Sequence, residues 1–75
     1  MTQRHRALTA FGLNLRSERE RRKLTQEKLA ENADLDPSYV SGIERGVRNP
    51  SILSVVRIAN ALGTTVSNLS RGIEG

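Results

Sequence analysis

Pro37, Ser38, Tyr39, Ser41, Gly42 and Arg45 fall on the outer face of one short helical stretch, and Arg48 follows in a loop. Their chemistry is hydrogen bonding and charge rather than bond making. A helix with small side chains near its N-terminus can enter a DNA major groove, about 12 Å wide, and bring donors to base edges. Its own dipole also favours a nearby phosphate. Ser38, Tyr39 and Gly42 are the candidates for base and groove contact, with Pro37 and Ser41 beside them. Serine bonds several bases and so specifies weakly. Tyr39 suits a phosphate or a thymine methyl; the alternative is a half-buried anchor between helices. Gly42 permits close approach more than it makes a contact. Arg48 suits a backbone phosphate, the alternative being a solvated loop charge. Arg45 either reaches DNA or complements the C-terminal dipole of its helix.

Composition narrows the partner. The 75 residues carry 12 Lys and Arg against 8 Asp and Glu, a net charge of +4. The excess is concentrated: Arg4, Arg6, Arg16, Arg19, Arg21, Arg22 and Lys23 precede residue 24 with only Glu18 and Glu20 to offset them. A basic small domain points to a polyanion. Cysteine is absent and His5 is the single histidine, so no thiolate or zinc site is expected, and no cofactor. No nucleophile–base–acid set and no phosphate-cradling glycine loop is present, which argues against an enzyme. No apolar run approaches the roughly 20 residues that cross a bilayer, and no apolar h-region follows Arg4 and Arg6. A cytoplasmic protein is expected, without a small-molecule ligand.

The elements that position these residues read as all-α. Residues 1–75 suit a single domain, with 1–6 as an N-terminal arm and 73–75 as a frayed tail. A first helix runs from about His5 or Leu8 to Arg22, with Leu8, Phe11 and Leu15 as its buried stripe. Arg19 continues that stripe and there needs an acidic partner. Thr25 caps a second helix, Gln26 to Ala33, with Leu29, Ala30 and Ala33 inward. Asp36 caps a third, with Pro37 in its first position and Gly46 as its left-handed end. Ser51 caps a fourth helix carrying Ile52, Val55, Ile58, Ala59 and Leu62, closed by Gly63. Thr65 caps a short fifth, containing Val66 and Leu69 and ending at Gly72. The second and third helices, joined by a tight turn with Leu35 at its corner, form a helix-turn-helix between Thr25 and Gly46.

Four segments carry a family likeness: Leu24-Thr25-Gln26-Glu27-Lys28-Leu29-Ala30, Val40-Ser41-Gly42-Ile43-Glu44-Arg45-Gly46, Asn49-Pro50-Ser51, and Ile58-Ala59-Asn60-Ala61-Leu62-Gly63. Together they resemble the lambda-repressor-like, Xre-type helix-turn-helix regulators over roughly Phe11 to Arg71. The run from Leu35 to Arg45, followed by Arg48-Asn49, is especially similar to controller proteins of bacterial restriction–modification systems. The resemblance implies a compact five-helix DNA-binding domain and a sequence-specific transcriptional regulator of double-stranded DNA. It implies that Gln26 bonds a phosphate and fixes the docking register. It also implies an ion pair between Arg19 and Glu44, structural rather than catalytic. The family commonly has Gly at the positions of Lys23 and Asp34, turns that often need a left-handed backbone.

One short recognition helix reads only a few base pairs. Two related by a twofold axis read a palindrome about one DNA turn apart, so a homodimer is expected. The fourth and fifth helices supply its interface, through Val56, Val66 and Leu69; Val56 stands beside the core stripe, whereas the alternative for Leu69 is a core position. The competing reading is an antitoxin or protein-interaction module; antitoxins usually add a toxin-binding tail, and this chain ends soon after the fifth helix.

Overall fold

The computed structural model describes residues 5–74. Among them are five helices and no strand: α1 (Arg6–Arg21), α2 (Gln26–Ala33), α3 (Pro37–Glu44), α4 (Ile52–Leu62) and α5 (Val66–Leu69). Side-chain caps start four of the five in the same way. Thr25 Oγ1 accepts the Lys28 N–H at 3.0 Å, and Asp36 Oδ1 accepts the Ser38 N–H at 2.8 Å. Ser51 Oγ accepts the Ser54 N–H at 3.1 Å, and Thr65 Oγ1 the Asn68 N–H at 2.9 Å. Each cap satisfies a donor that the helix cannot, typically contributing about 1 kcal/mol. His5 caps α1 less conventionally, its Nδ1 accepting from Ala7 N–H at 3.1 Å.

The helix ends explain how short connections turn the chain. Lys23 and Asp34 both adopt φ 57°, the left-handed conformation. At the first, Leu24 N–H returns to Arg19 carbonyl at 3.2 Å; at the second, Leu35 N–H returns to Ala30 carbonyl at 2.9 Å. Neither residue is glycine, so each turn carries strain, less for Asp than for Lys. Leu35 then packs against the core from the corner between α2 and α3. Gly46 takes φ 75° just beyond Arg45, the residue that ends α3.

Phe11, Leu15, Leu29, Ala30, Val40, Ile43, Val55, Ile58, Leu62 and Leu69 form one buried core. α2 packs on α3 and α4, α1 lies along α3, and α5 closes the far side against α1 and α4. Gly12 lets α1 approach the C-terminal end of α3. A Cβ there would fall inside the contact distance of the Ile43 and Glu44 carbonyl oxygens.

Four expected details differ near the chain ends. α1 begins at Arg6, so that residue is helix rather than arm, and Arg4 lies outside the described residues. Leu8 is only half-buried. α5 is a single turn ending at Leu69, three residues before Gly72. Ile73, in the expected tail, is partly buried and packs against the core.

Candidate nucleic-acid interface

The outward side of α3 is built from its N-terminus. Pro37 and Ser38 are exposed there, one and two residues past the Asp36 cap. Asp36 Oδ1 accepts both the N–H of Ser38 and its hydroxyl, the latter at 2.6 Å. Those two bonds, the hydroxyl's foremost, hold the Asp36 carboxyl below its ordinary range, with Arg48 adding to the effect. Asp36 therefore stays ionised at neutral pH.

Tyr39 is half-buried and joins α3 to α4. Its hydroxyl accepts the backbone N–H of Ser51, the α4 cap, at 3.2 Å. The Ser54 hydroxyl lowers the Tyr39 pKa most; burial opposes it and Ser51 and Arg48 add smaller effects. Ser51 Oγ also donates to Ser54 Oγ at 2.9 Å, so one small polar group links α3 to the start of α4. A phenol that accepts from this group keeps its own proton for an outside acceptor such as a phosphate.

Gly42 is buried, which the outward placement of its helical position did not suggest. The cover is Arg48. A Cβ at Gly42 would overlap the Arg48 Cγ. The loop folds back to produce this contact: Val47 and Arg48 N–H both bond to the Gly42 carbonyl, at 3.0 and 3.2 Å. Gly42 is thus a seat for the Arg48 stem. Arg45 is exposed at the C-cap, where its charge complements the α3 dipole. Ser41 is half-buried, and its carbonyl accepts the Arg45 N–H at 3.0 Å.

A polar triad locks α1, α2 and α3 together. Arg19 Nε donates to Glu44 Oε2 at 2.6 Å, and Nη2 to Oε1 at 3.1 Å. Arg19 Nη1 donates to the Leu24 carbonyl at 2.7 Å. The Glu44 bond raises the Arg19 pKa further above its already high value, against the opposing effect of burial. Gln26 Nε2 donates to Glu44 Oε1 at 3.0 Å. That amide has two hydrogens, so one remains for another acceptor at the α2 N-terminus. Gln26 is therefore held by the same carboxylate that braces α3.

The expected site residues thus fall into groups. Tyr39, Gly42 and Arg48 come together at the α3–α4 junction. Gln26 joins Arg19 and Glu44. Pro37 and Ser38 stand at the leading end of α3. Leu69 does not belong to any outer surface: it is fully buried in the core, because α5 is one turn whose inward residue closes α1 against α4. It cannot line an interface between copies.

Glu18 was not anticipated. Its carboxylate is buried and accepts from Arg22 Nη1 at 2.5 Å and from Arg21 Nη1 at 3.0 Å, with Arg71 Nη1 at 3.5 Å. The signal was available: Phe11, Leu15 and Glu18 stand at i, i+4 and i+7, so the inward stripe passes through Glu18 as well as Arg19. Exposed Ile52 and Leu53 were likewise missed as surface, because Ile52 fits the apolar repeat of α4.

Comparison with known proteins follows the same outline. The helix-turn-helix family profile matches residues 15–69. Control protein C.MunI of a Mycoplasma species is 43% identical over 65 residues, covering 85% of this chain and 88% of that protein. The immunity repressor of Bacillus phage phi105 is 46% identical over 56 residues, but the match spans only 39% of that repressor. Among solved structures, the restriction-modification controller protein C.AhdI from Aeromonas hydrophila superposes with a TM-score of 0.85 at 42% identity. That alignment covers 87% of this chain and 98% of C.AhdI.

Proposed function

The chain belongs to the Xre-type helix-turn-helix family and is a transcriptional regulator, and from that premise we propose that it binds a palindromic operator as a homodimer and controls a restriction–modification operon. The observation that carries the DNA-binding mode is the bracing of α3. Its last residue, Glu44, ties it to α1 and α2, Tyr39 near its exposed leading end ties it to α4, and Gly42 seats the Arg48 loop. A helix fixed at both ends and polar on its free face is suited to enter a groove as a rigid body. Gln26, Tyr39, Arg45 and Arg48 take the phosphates that set its register; Pro37, Ser38 and Ser41 face the bases.

The dimer reading is supported by exposed apolar residues on α4 and α5. Val56 is 38% and Val66 39% exposed, with Leu53 at 60% and Ile52 at 79%. Contiguous exposed apolar surface marks an interaction face. Leu53 and Val56, at i and i+3, and Ile52 and Val56, at i and i+4, share one side of α4. The controller subtype is supported by nearly full-length similarity to the control proteins rather than by any single residue. Such a regulator works in the cytoplasm, where its operator is.

The deciding experiment selects bound sequences from a random duplex pool and follows binding by fluorescence anisotropy against salt, with sedimentation of the protein alone. A twofold-symmetric consensus, a steep loss of affinity with salt and a dimer that Val56→Asp converts to a folded monomer are expected. A monomer at micromolar concentration, with or without DNA, would defeat the dimer; binding indifferent to salt and sequence would defeat the regulator. Genes for an endonuclease and a methyltransferase beside this one would be expected for a controller.

A further inference from the structure

The hydroxyl of Ser38 is not free to choose its role. A serine in a groove normally acts as donor or acceptor by rotating its single proton, which is why it specifies weakly. Here that proton is already directed: Ser38 Oγ donates to Asp36 Oδ1 at 2.6 Å. The same carboxylate oxygen takes the Ser38 N–H at 2.8 Å, so it sits against both donors of one residue. The lone pairs of Oγ are what an exposed Ser38 can still offer to a base.

We infer that Asp36 fixes the polarity of Ser38, making it an obligate hydrogen-bond acceptor that selects a base-edge donor in the major groove, the amino group of adenine or cytosine. Guanine and thymine present only acceptors at the corresponding edge, and two facing acceptors repel. Asp36 is a positioning residue here, acting through Ser38 rather than on DNA. Its lowered pKa means that it remains an acceptor at any pH used for DNA binding. The second α3 residue is well placed for this, because N-terminal residues of a recognition helix reach base edges. The inference rests on the DNA-binding reading above and sharpens it from "a serine contact" to one class of base.

Asp36→Gly is the informative change. Glycine is tolerated at a helix cap, so α3 is retained. It removes the carboxylate oxygen that holds the Ser38 proton, which then rotates freely and lets the hydroxyl donate or accept. Sequence selection and competition binding are run on the wild type, Ser38→Ala and Asp36→Gly, with thermal melting to verify folding. Ser38→Ala identifies the position, as the one place in each half-site where preference relaxes. The wild type is expected to select A or C there by about three- to tenfold, the range of one hydrogen bond. Asp36→Gly is expected to accept G or T at that position as readily as A or C while the rest of the consensus stands.

Selection of G or T by the wild type at that position overturns the inference. So does an Asp36→Gly profile identical to wild type, or a Ser38→Ala profile with no relaxed position. In each of those cases sequence-specific binding persists and the regulator reading survives. Absence of any selected consensus for the wild type overturns both.

Discussion

Replacing Arg19 by Met removes one side of the Arg19–Glu44 pair and leaves the other with nowhere to go. The Glu44 side chain is 3% exposed, and two of its three hydrogen bonds come from Arg19; Gln26 supplies the third. A buried carboxylate stripped of its cation costs roughly 3–5 kcal/mol. A domain of this size has a total stability of about 4–11 kcal/mol. At about 4–8 °C per kcal/mol, the melting temperature should fall by roughly 20 °C. The reverse change, Glu44→Gln, should cost less, about 1–3 kcal/mol. Arg19 is 13% exposed, keeps its bond to the Leu24 carbonyl and has a long stem that can carry its charge to water. The double change Arg19→Met with Glu44→Gln should cost less than the two single losses together, since it strands no charge. Thermal and urea unfolding of the four proteins measures this directly. An Arg19→Met protein within 1 kcal/mol of wild type, or strictly additive single effects, would refute the claim that the pair is buried and coupled.

Three further outcomes are expected. Gly42→Ala should lower DNA affinity about as much as Arg48→Ala does, because its Cβ displaces the Arg48 stem; its melting temperature should hold or rise, since Ala is the better helix former by about 1 kcal/mol. Anisotropy titrations paired with melting curves would show it, and an unchanged affinity would mean that Arg48 needs no seat. Arg48→Ala itself should weaken binding to specific and random duplexes alike and reduce the slope of log affinity against log salt by about 1, measured across a salt series. Glu18 has a folded pKa below its ordinary value of about 4.3, chiefly through the Arg22 hydrogen bond. Its contribution is therefore fully present above that value and lost as pH falls through the lower, folded pKa. Wild type should lose stability below about pH 4.3 more steeply than Glu18→Gln, as followed by unfolding at a series of pH values.

The fold was largely legible because its punctuation is local. Thr25, Asp36, Ser51 and Thr65 announce helix starts by side chains that bond two or three residues ahead. Lys23 and Asp34 were legible as left-handed turns only through the family pattern, since neither residue type demands that backbone. The inward faces followed from spacing, but spacing alone could not separate a core position from an interface position. Leu69 and Val66 are both apolar residues on one turn, and only the packing of α5 shows which is inside. The burial of Gly42 was not legible for a related reason. Its position on the helix is outward, but the loop six residues downstream returns to cover it, a turn that no residue type in the loop announces. Glu18 was hidden by its type: a carboxylate on the inner stripe is plausible only once Arg22, one turn on, and Arg71, far away in sequence, are known to meet it.

The contacts of α3 also bear on how two copies would act together. Tyr39 lies in the reading helix, yet its hydroxyl is anchored at the first cap of α4 by the Ser51 N–H. Val56 of the proposed dimer face is on that same α4, little more than one helical turn further on. A palindrome fixes the separation of two recognition helices, so any freedom between α3 and α4 would be multiplied at the operator. The Tyr39 bond removes a degree of that freedom, and Glu44 removes another by tying the opposite end of α3 to α1 and α2. Weak base readers can then be specific in pairs, because each is rigidly placed relative to the twofold axis rather than because either is strong alone.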